Sequence, residues 1–190
     1  MKRKVVFFIN SLYGGGAEKV LQTLLRYLDR ERFDVTVYSV HKEKVNESYP
    51  QDVTYRWIYG HGKWADYFRT FIYEWFSPSL FYRLFVKGKY DAEVAFIEGY
   101  STRIVSGSTN PHSKKIAWVH IDLENNHWTD IAYHSREEEQ RCYRKFDEVA
   151  AVSETVRGAC MRLFPGCKSY RCVYNPIDSD EIVRKAESLD

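Results

Sequence analysis

Two hydrophobic patterns alternate along the chain. Short, nearly continuous apolar runs are typical of strands buried on both faces of a parallel sheet, and apolar residues three or four positions apart are typical of amphipathic helices. The first run, residues 4–9, precedes an apolar stripe from Ala17 to Leu28 that predicts a helix ending near Asp29. Further strands are predicted at residues 33–40, 53–58, 91–97, 115–119, 148–152 and 168–174. Further helices are predicted at residues 64–76, 78–85, 102–105, 135–146, 153–164 and 179–189.

The order of these elements predicts the fold class. Strands that alternate with helices form a parallel sheet, because the chain must cross over the sheet before each new strand. We therefore expect an α/β fold, a Rossmann-like, open, mostly parallel sheet of about six to seven strands with helices on both faces. With 44% hydrophobic and 28% charged residues, the chain of 190 residues can bury one core.

Composition and charge exclude several classes of protein. The chain has 28 Lys and Arg residues against 26 Asp and Glu residues, so no nucleic-acid partner is expected. Its apolar runs are too short for a membrane span, and the run after residues 1–4 is too short for a signal peptide, which predicts a cytoplasmic location. The cysteines form no CxxC pair, which predicts buried free thiols and no zinc site. They are Cys142, Cys160, Cys167 and Cys172.

Three consecutive glycines, Gly14, Gly15 and Gly16, separate the first strand from the first helix. Backbone N–H groups at a helix start favour a phosphate oxygen, and glycine permits both close approach and a positive φ. The dinucleotide fingerprint would need glycine in place of Lys19, and no P-loop sequence follows. The spacing alone leaves open a phosphate-binding turn or an ordinary flexible βα turn. We expect Glu18 to tether the helix start rather than to touch substrate.

Polar residues follow the fourth and fifth predicted strands, at the edge where ligands bind in open parallel sheets. Glu98 follows the fourth strand, and His120 and Asp122 follow the fifth. For Glu98 the alternatives are a helix N-cap or a solvent-exposed loop carboxylate. We expect His120 to be functional, whereas residues 125–127 either line a ligand cleft or form a plain polar loop.

Four motifs occur at the ends of predicted elements. They are GGAEK at residues 15–19, WVHIDL at 118–123, VSE at 152–154 and YNPID at 174–178. Their order and spacing resemble the N-terminal domain of family 4 glycosyltransferases of the GT-B fold, over essentially the whole chain. The Asn-Pro pair departs from the Asn-Gly that is commoner in that family, and proline stiffens the turn between the domains.

The resemblance implies a two-domain, retaining glycosyltransferase that needs neither a metal nor another cofactor. Residues 1–176 would form the acceptor-side domain, and residues 177–190 would begin the linker helix towards a C-terminal donor-binding domain outside the chain. The substrates would be a nucleotide-sugar donor and a lipid-linked or polysaccharide acceptor. Without the donor-binding domain, the chain alone would be inactive.

The resemblance also implies roles for particular residues. Gly15 and Gly16 would face the diphosphate of the donor. His120 would be the catalytic residue, beside the donor sugar near its anomeric centre. The candidates for binding the acceptor sugar are Glu98, Asp122 and Asn126.

Aromatic residues are concentrated between residues 61 and 90, where they are interleaved with five basic and two acidic side chains. This composition suits docking onto an anionic membrane surface or holding a lipid-linked acceptor. The alternative is a packed helix pair that covers the sheet. We favour core packing for Trp64, Phe68, Phe71 and Trp75. Peripheral contact with the inner face of the cell membrane is expected only for aromatic side chains that remain exposed.

A different function class stays open at this stage. A non-catalytic ligand-binding or interaction module could have the same fold, and its sequence would show the same alternation of strand and helix patterns. A nucleotide-binding oxidoreductase is disfavoured, because the glycine spacing differs from the dinucleotide fingerprint.

Overall fold

The computed structural model describes residues 1–45, 47–60 and 75–188. Within these residues seven strands form one parallel sheet. They are β1 (Arg3–Ile9), β2 (Phe33–His41), β3 (Thr54–Tyr59), β4 (Ala92–Ala95), β5 (Lys114–Val119), β6 (Glu148–Ala151) and β7 (Tyr170–Cys172). Their spatial order is β3-β2-β1-β4-β5-β6-β7. The predicted Rossmann-like α/β fold is confirmed.

Helices connect the strands and cover both faces of the sheet. They are α1 (Gly16–Tyr27), α2 (Pro78–Phe85), α3 (Tyr100–Ser106), α4 (Arg136–Tyr143), α5 (Glu154–Leu163) and α6 (Ser179–Glu187), with a 3₁₀ helix at Trp128–Ala132. The starts of α2, α4 and α5 are fixed by serine caps, Ser77, Ser135 and Ser153, each of which accepts a hydrogen bond from an N–H group three residues on. In the described part of the chain, no helix combines the length and the apolar character needed to cross a bilayer.

The central strand β1 explains the first apolar run. Val6 and Phe8 face the core under α2, α3, α4 and α5, whereas Phe7 and Ile9 face the core under α1. Successive side chains of a strand point to opposite faces, so a strand buried on both faces must be apolar at every position. Leu21 and Leu25 of α1 are fully buried against β1, as the helical stripe predicts.

The order of the strands also determines at which edge of the sheet a crevice forms. The chain leaves β1 towards β2 and β3 on one side, and then returns to add β4 on the other side of β1. The connections after β1 and β4 therefore run to opposite faces. In open α/β sheets this reversal of strand order opens a crevice at the carboxyl ends of the strands, where ligands bind.

Several predicted boundaries differ from the structure. The strand predicted at residues 91–97 ends at Ala95, and the one predicted at 168–174 is reduced to Tyr170–Cys172. Helix α4 ends at Tyr143 rather than near Phe146, since the N–H groups of Lys145 and Phe146 bond to carbonyls three residues back and tighten the chain into turns. The predicted loop at residues 120–130 includes the start of the 3₁₀ helix.

Two predictions about side-chain burial have mixed outcomes. Core packing was expected for Trp75, but its side chain is 73% exposed, so that prediction is wrong. The indole lies just before the cap of α2 and beyond the apolar stripe that faces the sheet. Trp64, Phe68 and Phe71 lie outside the described residues. The thiols of Cys142, Cys160 and Cys167 are free and buried as expected, and Cys172 is half-buried.

The segment after β7 is fastened to the first helix. Asp178 accepts a hydrogen bond from Arg26, in the last turn of α1, at 2.7 Å. The two residues are 152 positions apart. This ion pair joins the beginning of the domain to the start of α6.

Candidate functional site

The candidate site lies where β1, β4 and β5 end. These strands are neighbours in the sheet, so the three connections that follow them start roughly 5 to 10 Å apart. Ser101, at the start of α3, donates a hydrogen bond to the side chain of Asn10 at 3.1 Å and so links the connection after β4 to the one after β1. The topology therefore brings together the glycine turn, Glu98 and the His120 segment.

Glu98 is buried and connects two strand ends. Its carboxylate accepts hydrogen bonds from the backbone N–H of His120 at 3.0 Å and from the indole N–H of Trp128 at 3.3 Å. The side chain is 1% exposed, and burial raises its pKa. Glu98 is not a solvent-exposed loop carboxylate, and Gly99 rather than Glu98 caps α3, so both alternatives considered for it are wrong.

Glycine is required beside Glu98. Gly99 has φ of 84°, a left-handed conformation that side chains other than glycine rarely adopt. A Cβ atom there would also lie 3.2 Å from the ring of Trp128. Gly99 thus lets the indole approach closely enough to reach the Glu98 carboxylate.

The ring of His120 is enclosed by aromatic side chains. Its centroid lies 5.0 Å from that of Phe96 and 6.1 Å from that of Trp118, and the Trp118 ring is nearly parallel to it. Burial lowers the pKa of His120 to about 4, against a hydrogen bond to the Phe96 carbonyl that raises it. The imidazole is therefore neutral at pH 7, and its proton lies on the nitrogen that bonds Phe96.

Two polar atoms at this point have no hydrogen-bond partner within the part of the chain that the structure describes. Nε2 of His120, which carries a lone pair, and the indole N–H of Trp118 are both buried and unpartnered. Buried polar groups are normally hydrogen-bonded, so two unpartnered atoms on neighbouring side chains of one strand end call for an explanation, and a functional role is one. The sequence places Trp118 in the WVHIDL motif, but nothing in the spacing singles it out.

Asp122 shapes the loop after His120. Its carboxylate accepts hydrogen bonds from the N–H of Glu124 at 3.0 Å and from the side chain of Asn125 at 2.6 Å. Glu124 in turn forms a bidentate ion pair with Arg162 of α5, at 2.7 and 2.5 Å. The exposed Asn126 lies at the surface of this fixed loop. Asp122 and Asn126 are thus near His120 in the chain, but Asp122 already uses both carboxylate oxygens.

His127 belongs to a separate network. Its Nε2 lies 2.6 Å from the buried carboxylate of Glu139, which also accepts a hydrogen bond from Thr129 at 2.7 Å. With Asp130, the ligand atoms of His127 and Glu139 lie within 4.8 Å of one another, a grouping that sequence reasoning missed. The His127–Glu139 distance is that of a direct hydrogen bond between the two side chains, and Arg136 lies 3.8 Å from Asp130.

The glycine turn differs from expectation in one respect. The left-handed residue is Gly14, with φ of 72°, whereas Gly15 is the extended N-cap of α1 and Gly16 is its first residue. A positive φ therefore does not explain Gly15 or Gly16. A Cβ atom on Gly15 would lie 2.1 Å from the Glu18 carboxylate, while one on Gly16 would meet nothing within 4 Å. Gly15 makes room for Glu18, and Gly16 faces open space.

Two carboxylates hold this turn in place. Glu18 hydrogen-bonds its own N–H and that of Gly15, which is the tether expected at the helix start; burial is the largest effect on its pKa and raises it. Glu43, from the loop after β2, accepts hydrogen bonds from Ser11 at 3.0 Å and from the N–H of Leu12. Sequence reasoning missed Glu43, because it lies 32 positions from Ser11 in an ordinary polar loop.

Lowering the pH should reduce the free energy of unfolding, because the buried His120 stays neutral in the folded chain while it becomes protonated in the unfolded chain. The unfolded chain takes up the proton near the ordinary value of 6.5, but the folded chain only near pH 4. The stability that depends on neutral His120 is therefore complete above about pH 6.5 and is lost as the pH falls from there towards 4. At about pH 5 the expected loss is roughly 2 kcal/mol.

Urea unfolding at pH 7 and at about pH 5 measures this loss, and His120→Asn, which cannot take up the proton, should lose less. The raised pKa of Glu98 acts in the opposite direction, because a carboxyl with a raised pKa loses its contribution as the pH rises. That contribution is common to both proteins and cancels in the comparison. An identical pH dependence in the two proteins would contradict the prediction.

Comparison with known proteins places this geometry in a family. The model of Glycosyltransferase Family 4 matches residues 14–181. The crystal structure of Anabaena Alr3699/HepE in complex with UDP-glucose superposes with a TM-score of 0.62 at 15% identity, over 98% of this chain and 50% of that chain. The structure of Phytolacca americana UGT2, complexed with UDP-2fluoro-glucose and pterostilbene, superposes with a TM-score of 0.54 at 8% identity, over 98% of this chain and 57% of that chain.

The structural similarities show a shared fold, and the chain spans about half the length of these two proteins. No curated protein sequence matches it. The family model, by contrast, covers most of the chain, from the glycine turn through the His120 segment to the start of α6. The chain belongs to glycosyltransferase family 4.

Proposed function

We propose that the chain is the acceptor-side domain of a retaining, metal-independent glycosyltransferase that moves a hexosyl group from a nucleotide-sugar to an acceptor. The observation that carries this proposal is the unpartnered Nε2 of His120 beside the unpartnered indole of Trp118, at the edge where β5 ends. Family membership supports it, as do the nucleotide-sugar complexes of the two structural relatives. Residues 1–176 form this domain in the proposal, and residues 177–190 lead towards a donor-binding domain.

The chemistry of glycosyl transfer fits a neutral histidine. The transition state resembles an oxocarbenium ion, so positive charge develops at the anomeric carbon. An imidazolium at that place would oppose this charge, whereas the low pKa keeps His120 neutral. Its Nε2 can accept a hydrogen bond from a hydroxyl of the donor sugar and so orient the ring for reaction.

The glycine turn is suited to the departing diphosphate. The free side of Gly16 and the N–H groups of Gly16 and Ala17, which Glu18 does not bond, leave room for an anionic oxygen at the positive end of the helix dipole. Gly15 and Gly16 act through their backbone in this proposal. Glu98 is a positioning group, since both of its oxygens are already bonded, and Asp122 shapes the loop on which Asn126 could meet the acceptor.

A lipid-linked acceptor is supported by the surface of α2. Leu80 and Leu84 are 43% and 46% exposed on this helix, and Trp75 lies just before it. The exposed cations Arg83 and Lys87 flank them. Apolar and aromatic side chains bordered by cations suit peripheral contact with an anionic membrane face, which in the proposal is the inner face of the cell membrane.

The purified chain of 190 residues should show no transferase activity, because half of the donor site is missing. The measurement is release of UDP from UDP-glucose in the presence of sugar acceptors. Added UDP provides the control for detection. Sustained turnover by the chain alone would overturn the assignment of the donor site to another domain.

His120→Ala should lower kcat by about 100-fold in the two-domain protein, because it removes a contact with the reacting sugar. KM for the donor should change little. His112→Ala, which removes an exposed histidine from a turn, is the matched control and should retain full activity. An unchanged kcat in His120→Ala, with the fold verified by circular dichroism, would reduce His120 to a structural residue.

Gly16→Val should raise KM for the nucleotide-sugar in the two-domain protein while Tm changes by only a few degrees. The new side chain enters space that the protein itself leaves open, so it can obstruct only a ligand. Gly16→Ala is the graded control and should have a smaller effect. Normal KM in Gly16→Val would place the diphosphate elsewhere, and unfolding would show that this glycine serves the backbone.

A further inference from the structure

A polar cavity lies apart from the candidate site, between the start of α2 and the length of α4. We call it the α2–α4 groove. Its volume is about 440 Å³, and its lining includes Trp75, Arg103, His134, Glu138, Arg141 and Lys145. It shares no residue with the glycine turn, Glu98 or the His120 segment.

Cations dominate the lining of this groove. Three of its side chains are basic, Arg103, Arg141 and Lys145, and one is a carboxylate, Glu138. Glu138 accepts hydrogen bonds from Arg103 at 2.9 Å and from the N–H of His134 at 2.8 Å. These interactions outweigh burial and keep the pKa of Glu138 below its usual value, so the carboxylate stays charged. It offsets the buried Arg103. The exposed cations Arg141 and Lys145 remain, and of these Arg141 also interacts with the exposed carboxylate of Glu137.

The two remaining cations are placed to act together. Arg141 and Lys145 are four positions apart at the end of α4, both are exposed, and neither has an ion-pair partner among residues 1–45, 47–60 and 75–188. A concave surface with low-dielectric walls concentrates the field of such charges. The forked guanidinium of arginine and the ammonium of lysine both match the oxygens of a phosphate.

We propose that the α2–α4 groove is a binding site for a phosphate group, with Arg141 and Lys145 as its direct contacts. The buried Arg103, which is ion-paired with Glu138, adds positive charge behind these two contacts. The exposed indole of Trp75 at the groove suits a ligand whose phosphate adjoins an apolar part. The phosphate can belong to a lipid headgroup or to a soluble molecule. This inference does not depend on glycosyl transfer, because the groove lies outside the residues of the proposed reaction.

The test uses the full chain and two probes. Inorganic phosphate is titrated while the NMR signals of the Arg141 side chain and the Trp75 indole are followed. Sedimentation with vesicles of phosphatidylcholine, with and without phosphatidylglycerol, measures binding to a lipid phosphate. The variant is Arg141→Gln combined with Lys145→Gln, both exposed positions. The matched control removes the same charges elsewhere, with Lys2→Gln and Arg144→Gln, since Arg144 packs beside Gly166 rather than lining the groove.

Loss of two charge-assisted contacts should weaken binding by at least about tenfold in the groove variant, and the control should bind like the unaltered chain. Groove-dependent binding to the phosphatidylglycerol vesicles identifies a lipid source, and groove-dependent binding to inorganic phosphate alone identifies a soluble one. Each result supports the site. Equal binding by the groove variant and its control, or no binding to either probe, would overturn the proposal.

Discussion

The buried carboxylate of Glu98 fixes the arrangement on which the candidate site depends. Placing a carboxylate inside a protein is costly unless its oxygens are hydrogen-bonded, so the structure must keep His120 and Trp128 where they satisfy it. The chain after β4, the chain after β5 and the 3₁₀ helix are thereby coupled. The position of the His120 backbone follows from Glu98, and the direction of its ring follows from Phe96 and Trp118.

The two anion sites proposed for this domain would work by different means. The glycine turn offers backbone N–H groups, and its nearest side chains, Glu18 and Glu43, are carboxylates that bind the turn itself. The α2–α4 groove offers side-chain cations instead. Backbone donors are fixed by the fold and select for shape, whereas the long side chains of Arg141 and Lys145 adapt to their ligand. A rigid site and an adaptable one thus lie on the same domain.

Much of the fold could be predicted from the sequence, because strand β1 and helix α1 carry patterns that only a doubly covered strand and an amphipathic helix produce. The structure also places His120 directly after β5, where the sequence pattern put it. The partners of these groups could not be predicted. Nothing local in the sequence shows that Glu43 reaches the glycine turn, because that contact depends on how two loops 32 positions apart meet. Nor does the sequence show that the indole of Trp118 has no partner, because that depends on the whole surroundings of the side chain. The burial predicted for Trp75 is wrong because helical spacing alone does not show where an apolar stripe stops facing the sheet.

The ion pair between Arg26 and Asp178 has a mechanical consequence. Helix α1 has 12 residues and is therefore roughly 18 Å long, with the glycine turn at one end and this ion pair at the other. The Arg26 side chain is 43% exposed, and pairs of that kind contribute about 1 kcal/mol or less. Asp178 also hydrogen-bonds Tyr27, in the same turn of α1. A displacement of the segment after β7 would therefore act on the end of α1 that lies opposite the glycine turn.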